Sequence, residues 1–312
     1  DDDDNEWRRI FARMRAIQPD VTTVGVAPDG RVWWGIETGI MSFKGSDFYS
    51  ADVSEGFFHH HVTSIEPCGG TTAFASSDAI DPVIGWADEK SKGFKLARRH
   101  LKDTAGTVTA LGCINDDEIY IGTSTGELIR FDGRVTEVLH RFAGQAITAI
   151  TSGVDPALPA AGMQVWIGTD QGHVYRYQGV MEQTVFPDAA GQPIRALAVD
   201  ADGLLWASVG ERGVFHLKER QWSGLAPIEH GAVRPYRSVM TIRPDPDKGV
   251  WMLPGPEEAS RGVLYSDGAR SLLLNPPDRI IQAPTGVGVD ASGVVWIGTA
   301  FDGLFRLEPK SL

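Results

Sequence analysis

The chain has 312 residues, of which 42% are apolar and 22% are charged, and its formal net charge is −12. This composition is ordinary for a globular protein, and no apolar run approaches the roughly 20 residues of a membrane-spanning helix. Because nonspecific nucleic-acid binding needs basic side chains that displace counterions, the acidic balance argues against a nucleic-acid partner.

The first predicted element is the segment 6–12, which follows an acidic N-terminus. Since the chain begins with aspartate rather than methionine, we expect that a leader or a tag has been removed. Trp7 lies 14 residues before Val21, where a strand-like run begins, much as Trp222 lies 17 residues before Val239. The segment is therefore predicted to be a strand, and an amphipathic helix over residues 7–17 is the alternative.

Beyond this segment the chain repeats itself seven times, with one aromatic residue at the same place in each repeat. The aromatics are 40 to 46 residues apart. They are Trp33, Phe74, Tyr120, Trp166, Trp206, Trp251 and Trp296. Repeats of this length with internal turn signals are typical of a β-propeller, in which each repeat is one four-stranded blade. The aromatics are predicted to fill the wedges between blades.

Each repeat opens with a strand-like run, which begins twelve residues before the aromatic in six of the seven repeats. The blades are predicted to begin near residues 21, 62, 108, 147, 194, 239 and 284. The fourth repeat has seven extra residues before Trp166. A glycine follows the aromatic in several repeats, as in VWIGT at 165–169, and allows the blades to approach closely.

The two ends of the chain indicate how the ring closes. The last repeat ends after its third strand, LFRLEP at 304–309, and lacks an outer strand. We expect residues 6–12 to supply that strand, so that no sheet edge stays open. The sequence therefore predicts an all-β fold, a single seven-bladed β-propeller over residues 1–312 with the last blade closed by the N-terminal strand.

The two cysteines lie on inner strands of adjacent blades. Cys68 is six residues after Val62, whereas Cys113 is five after Val108. Side chains alternate along a strand, so these offsets predict opposite directions, unless a bulge at Pro67 restores the register. The sequence leaves open both the disulfide and the compartment.

The repeats share a motif in which a turn is followed by Trp, an apolar residue, Gly-Thr, a second glycine and often arginine. It is clearest in VVWIGTAFDGLFRL (294–307) and QVWIGTDQGHVYRY (164–177), whereas repeats five and six keep the tryptophan and lose Gly-Thr. This pattern resembles the two-component regulator propeller repeat, over six of the seven repeats. The resemblance implies a WD-repeat-like architecture and a bacterial sensor or scaffold module that binds ligands or proteins outside the cytoplasm, in the periplasm; a cytoplasmic location is the alternative.

Common catalytic signatures are missing from the sequence, including Cys-x-x-Cys, His-Glu-x-x-His, Gly-x-Ser-x-Gly and the Walker loop. Residues 59–61 are three adjacent histidines, of which at most two can face one metal ion. Immediately before the inner strands, only Asp20 and His61 are good metal ligands. We therefore predict a protein that is not an enzyme and holds no metal or cofactor; the alternative is a propeller lyase or lactonase with a metal at the channel mouth.

Long connections are predicted to collect on one face of the ring. Connections from the outer strand to the next inner strand, and from the second strand to the third, share the face around the channel mouth. The long ones are 49–61, 96–107, 224–238 and 274–283, with insertions at 76–93 and 254–262. The opposite face has short turns, so we expect binding on the face with the long loops.

Arginines and aromatics gather in these connections, where arginine can bind carboxylate or phosphate in a bidentate manner and aromatics supply rigid contact area. The candidate contact residues are His61, Arg99, Arg141, Asp170, Tyr236, Arg237, Arg279 and Phe301. They predict a protein partner or a small anionic or peptide-like ligand for a monomer or a member of a heteromeric complex. The alternative is that the arginines pair with acids on the same rim.

Overall fold

The structure is a computed structural model. It describes residues 6–10, 20–37, 39–52, 62–76, 83–88, 95–101, 106–115, 118–156, 158–184, 191–218, 220–225, 236–274 and 283–308. The strands form seven antiparallel sheets of four strands each. The predicted all-β, seven-bladed propeller is confirmed.

The first strand of each repeat lies innermost, and each innermost strand lies beside the next around the whole ring, with the last beside the first. These strands are β2 (Thr23–Val26), β6 (Val62–Cys68), β10 (Val108–Asn115), β14 (Ile147–Val154), β18 (Ile194–Val199), β22 (Val239–Pro244) and β26 (Pro284–Val289). They surround an axial channel.

The second strand of each blade carries the repeated aromatic and is buried along most of its length, as expected for a strand covered on both faces. The second strands are β3 (Val32–Ile36), β7 (Thr71–Ser76), β11 (Glu118–Thr123), β15 (Met163–Thr169), β19 (Leu205–Val209), β23 (Val250–Pro254) and β27 (Val295–Thr299). The third strands are β4 (Gly39–Lys44), β8 (Val83–Asp88), β12 (Glu127–Phe131), β16 (Val174–Tyr177), β20 (Gly213–Lys218), β24 (Val263–Ser266) and β28 (Gly303–Glu308).

Six outer strands come from their own repeats, and the seventh comes from the N-terminus. They are β5 (Asp47–Asp52), β9 (Lys95–His100), β13 (Thr136–Arg141), β17 (Met181–Thr184), β21 (Gln221–Gly224), β25 (Ser271–Leu274) and β1 (Glu6–Ile10). β1 pairs antiparallel with β28, with Trp7 opposite Leu307 and Arg9 opposite Phe305. Closure of the last blade by the N-terminal strand is thus confirmed; residues 11 and 12 lie outside the described residues.

Two expectations about the connections are wrong. Residues 76–93 are not one insertion, because Val83–Asp88 form the third strand of blade two. Residues 49–52 and 96–100 are not in loops, because they belong to the outer strands of blades one and two. Repeat two departs most from the shared motif, yet its strands pair antiparallel in the same order as those of the other blades. The connections at 155–162 and 254–262 contain short 3-10 helices, Pro159–Ala161 and Pro256–Arg261.

Seven apolar clusters fill the wedges between successive blades. The repeated aromatics lie in them, from fully buried Trp33, Trp206 and Trp251 to Trp296, which is 6% exposed. One cluster joins Trp296 of the last blade to Trp34 of the first. The hydrophobic core therefore runs around the ring without interruption.

Hydroxyls and glycines near the axis also join the blades. Thr109 donates a hydrogen bond to the carbonyl of Ile147 in the next blade, and Thr285 donates to Val21 across the closure. A Cβ at Gly122 would lie 2.4 Å from the Ile147 side chain, which confirms that glycine permits the close approach.

Cys68 and Cys113 form a disulfide between blades two and three, with 5.7 Å between their Cα atoms. The predicted opposite directions are confirmed, because Cys68 lies on the face of blade two that is turned toward blade three, whereas Cys113 lies on the face of blade three that is turned toward blade two. These two faces meet in the wedge between the blades, so opposite directions bring the cysteines together; the register shift near the start is common to both strands and does not change their relative direction.

Candidate functional site

The propeller has two faces that differ in their connections. On the long-loop face the innermost strands begin, and the second and third strands are joined. On the short-turn face the innermost strands end, and turns such as Pro28–Gly30 and Ala201–Gly203 join them to the second strands. The axial channel runs between the two faces.

An ion pair crosses the channel near its middle. Arg243 of blade six reaches to 3.5 Å from the Glu66 carboxylate of blade two, and its Nη2 also lies 3.5 Å from the Ile65 carbonyl. Burial raises the pKa of Glu66, and the Arg243 guanidinium opposes part of that rise. Because both residues line the cavities above and below, this pair separates the channel into an upper and a lower chamber.

The upper chamber opens toward the long-loop face and has a volume of about 340 Å³. All seven innermost strands contribute to its wall, which is rich in threonine. Its charged lining residues are Glu66, Arg243 and Arg195. Arg195 is the second residue of its strand, and Thr148 occupies the same position in the strand of blade four. The upper chamber therefore contains two cations and one carboxylate.

The lower chamber opens toward the short-turn face and has a volume of about 420 Å³. Valines, prolines and alanines supply most of its wall, together with the turn residues Asp200, Asp245 and Asp290. These carboxylates accept hydrogen bonds from backbone N–H groups of their own turns, so they stabilise the turns.

A third cavity, of about 310 Å³, lies away from the axis between blades four and five. Trp166, Leu204 and Leu217 form its apolar wall, and Lys218 and Arg220 line it as well.

On the long-loop face, blades three and four present an exposed polar group. Arg141 is the last residue of β13, is 67% exposed in its side chain, and donates to Glu127 over 2.9 Å. Next to it, His140 packs on Phe142, which contacts Tyr175. The Arg141 guanidinium retains donors for an additional acceptor.

Blade six presents a second polar group beside the same opening. Tyr236 is buried, donates its hydroxyl to the Gly262 carbonyl, and lies under the Arg261 guanidinium at 4.6 Å. Burial raises the pKa of Tyr236. Arg261 pairs with Glu258, which also accepts the backbone N–H of exposed Arg237. Tyr236 is therefore part of the support of this group and not of its exposed surface.

The remaining candidates are spread over the molecule. Asp170 accepts the backbone N–H of Ala146 and stabilises a turn. Phe301 is 65% exposed at the turn after β27. Arg99 lies on the outer strand β9, at the periphery of the ring and away from the channel rim. His61 and Arg279 lie outside the described residues.

The three charged residues of the channel, Glu66, Arg195 and Arg243, were not predicted from the sequence. Arg195 and Met240 stand at the second position of inner strands where blades two, three, four and seven have threonine. An alignment of the repeats at the second position of the inner strand shows that blades five and six depart from threonine there. Glu66 and Arg243 likewise share one position, the fifth of their strands.

The described residues contain no group of three or more His, Cys, Asp or Glu side chains placed to hold a metal ion. Within the same residues, no helix is both long and apolar enough to cross a membrane.

No protein-family model and no curated protein matches the chain. Among solved structures, it resembles the extracellular domain of the hybrid two-component system BT3049 from B. thetaiotaomicron, with a TM-score of 0.68 and 12% identity over 97% of this chain. The chain spans only 41% of that structure's length. It also resembles the WD40 β-propeller domain of Doa1, with a TM-score of 0.64, 14% identity and 94% of each chain covered.

A third similar structure is YCF48 bound to D1 peptide, with a TM-score of 0.65, 12% identity, and coverage of 99% of this chain and 96% of that one. At such identities the likeness shows the fold alone. The propeller architecture that the repeat motif implied is confirmed by it.

Proposed function

We propose that the protein is a noncatalytic binding propeller, a bacterial sensor or scaffold module that captures an anionic or peptide-like partner on the long-loop face. The observation that carries this proposal is the exposure of Arg141, Arg237 and Phe301 on that one face. Two guanidinium groups and one aromatic ring supply charge-assisted hydrogen bonds and rigid apolar area, the chemistry that dominates protein interfaces.

The similar structures support a binding role. One is a WD40 domain, one was solved with a bound peptide, and one is the extracellular domain of a hybrid two-component system. A propeller fold does not by itself indicate a function, so the proposed binding role rests on the exposed residues.

The disulfide supports a location outside the cytoplasm. Stable disulfides form in oxidising compartments, and both cysteines of this chain are joined in one. We therefore assign the partner to the extracytoplasmic, periplasmic space.

Site-specific photocrosslinking in cells of the source organism tests the proposal. A photoreactive amino acid replaces Phe301, and in a matched control it replaces Val180, which is 69% exposed but lies on the short-turn face. A crosslinked product is expected at position 301 and not at position 180. The double variant Arg141→Ala/Arg237→Ala is expected to reduce its yield at least about tenfold. Equal products at both positions, or a product at position 180 alone, would exclude the long-loop face as the binding surface.

A further inference from the structure

The side chain of Arg195 is in an unusual environment. It projects from β18 into the wall of the upper chamber, where its Nη1 lies 3.7 Å from the sulfur of Met240. Its Nε is enclosed and has no hydrogen-bond partner among the described residues. Enclosed polar groups in native proteins are almost always partnered, so this nitrogen calls for an acceptor.

The charges around Arg195 do not supply that acceptor. The carboxylate in the chamber wall belongs to Glu66, which is paired with Arg243. Because the charges of Glu66 and Arg243 balance each other, the chamber has one further positive charge, that of Arg195, although the net charge of the protein is −12. A cleft lined by one sign of charge concentrates ions of the opposite sign.

The threonines of the chamber wall do not supply the acceptor either. Thr109, Thr148 and Thr285 are held by the hydrogen bonds that they donate to carbonyls of the neighbouring blades, and no hydroxyl of the described residues accepts a hydrogen bond from Arg195 Nε. These bonds fix the chamber wall, and Arg195 lines the open volume of about 340 Å³ without a carboxylate partner among the described residues.

We propose that the upper chamber binds a small oxyanion, a carboxylate or phosphate group, on the guanidinium of Arg195. Planar guanidinium donors match two oxygens of such a group, and the volume admits a small molecule that carries it. This site is distinct from the exposed residues of the long-loop face, and it does not depend on the partner proposed for them.

Ligand-observed NMR titration of the full chain at constant ionic strength tests the site, with acetate and inorganic phosphate as probes. The unchanged protein is expected to bind at least one probe, and the probe that binds tells carboxylate from phosphate chemistry. Arg195→Met, which keeps the length of the side chain, is expected to weaken binding at least about tenfold. The matched control Arg134→Met, which replaces an exposed arginine in the turn between β12 and β13 outside the channel, is expected to bind as the unchanged protein does.

Glu66→Gln is a second variant, which tests the anion site even if Arg195→Met does not fold. Removing this carboxylate releases the charge of Arg243 into the chamber, so the probe is expected to bind more tightly than in the unchanged protein. Binding of neither probe, unchanged affinity in a folded Arg195→Met, or weaker binding in Glu66→Gln would each overturn the proposal.

Discussion

Two turn aspartates each hold the indole of a buried tryptophan six residues downstream. Asp200 accepts the Nε1–H of Trp206, and Asp245 accepts that of Trp251, both over 2.8 Å. The second oxygen of each carboxylate accepts backbone N–H groups of the turn. In blade seven Asp290 makes the same turn, but the enclosed indole nitrogen of Trp296 has no partner among the described residues.

Asp245→Ala is therefore expected to destabilise the protein more than Asp290→Ala. Both variants lose the turn hydrogen bonds, but only the first leaves a fully buried indole N–H without an acceptor. The difference in unfolding free energy, measured by urea denaturation, is expected to be about 1–3 kcal/mol. Equal losses would show that the indole bond contributes nothing.

His216 makes stability depend on pH. Burial lowers the pKa of this histidine, which packs at 5.1 Å on Trp206, and nearby Asp200 opposes only part of the shift. As pH falls below the ordinary histidine pKa of about 6.5, the unfolded chain takes up a proton that the folded protein resists. The stability from His216 is thus complete above that pH and is lost as pH falls toward the lowered folded value.

We expect His216→Phe to lose less stability than the unchanged protein between pH 7.5 and pH 5.5, as measured by urea denaturation at both values. His140→Phe replaces an exposed histidine and is the control, which should keep the full pH dependence. If all three proteins respond equally, His216 is not the titrating group.

At the scale of elements, the disulfide links the inner strands of blades two and three. Its cysteines are 45 residues apart, and the bond closes a loop of one blade. In the chain-entropy account, a loop of this length restricts the unfolded state by about 4 kcal/mol.

Cys68→Ala/Cys113→Ala is expected to lose about that much unfolding free energy. The unchanged protein with its disulfide reduced should match this variant in thermal and urea denaturation. No change in stability on reduction would contradict a structural role for the bond.

At the scale of the whole molecule, stability depends on ring closure. β1 pairs with β28 along its full length, and the apolar cluster between blades seven and one completes the core. Without β1, the edge of β28 would have unpaired N–H and C=O groups, which promote association with other chains.

Deleting residues 1–12 is expected to lower the melting temperature sharply and to cause aggregation, because native domains hold only about 5–15 kcal/mol in total. Deleting residues 1–4, which lie before the strand, is the control and should do neither. Light scattering and circular dichroism follow both effects. Equal melting temperatures would show that the strand contributes little to closure.

The sequence by itself determined the propeller and its seven blades, because these follow from local periodicity, and the missing outer strand of the last repeat predicted closure by residues 6–12. A period near 45 residues sets the blades, and the buried aromatics such as Trp206 recur once in each. Alternation within one strand says which residues share a side, but it does not say which strand lies across the channel. Glu66 and Arg243 meet only when the ring closes. Ring closure also forms the upper chamber, which Arg195 lines together with this pair.

The surroundings of the two cysteines and of Arg99 were also decided by tertiary structure alone. Alternation placed Cys68 and Cys113 on opposite faces of their own blades, and only the arrangement of neighbouring blades brings these two faces together in one wedge. Pairing with β8 placed Arg99 on a strand. Both outcomes depend on contacts between residues distant in sequence, so local pattern did not determine them.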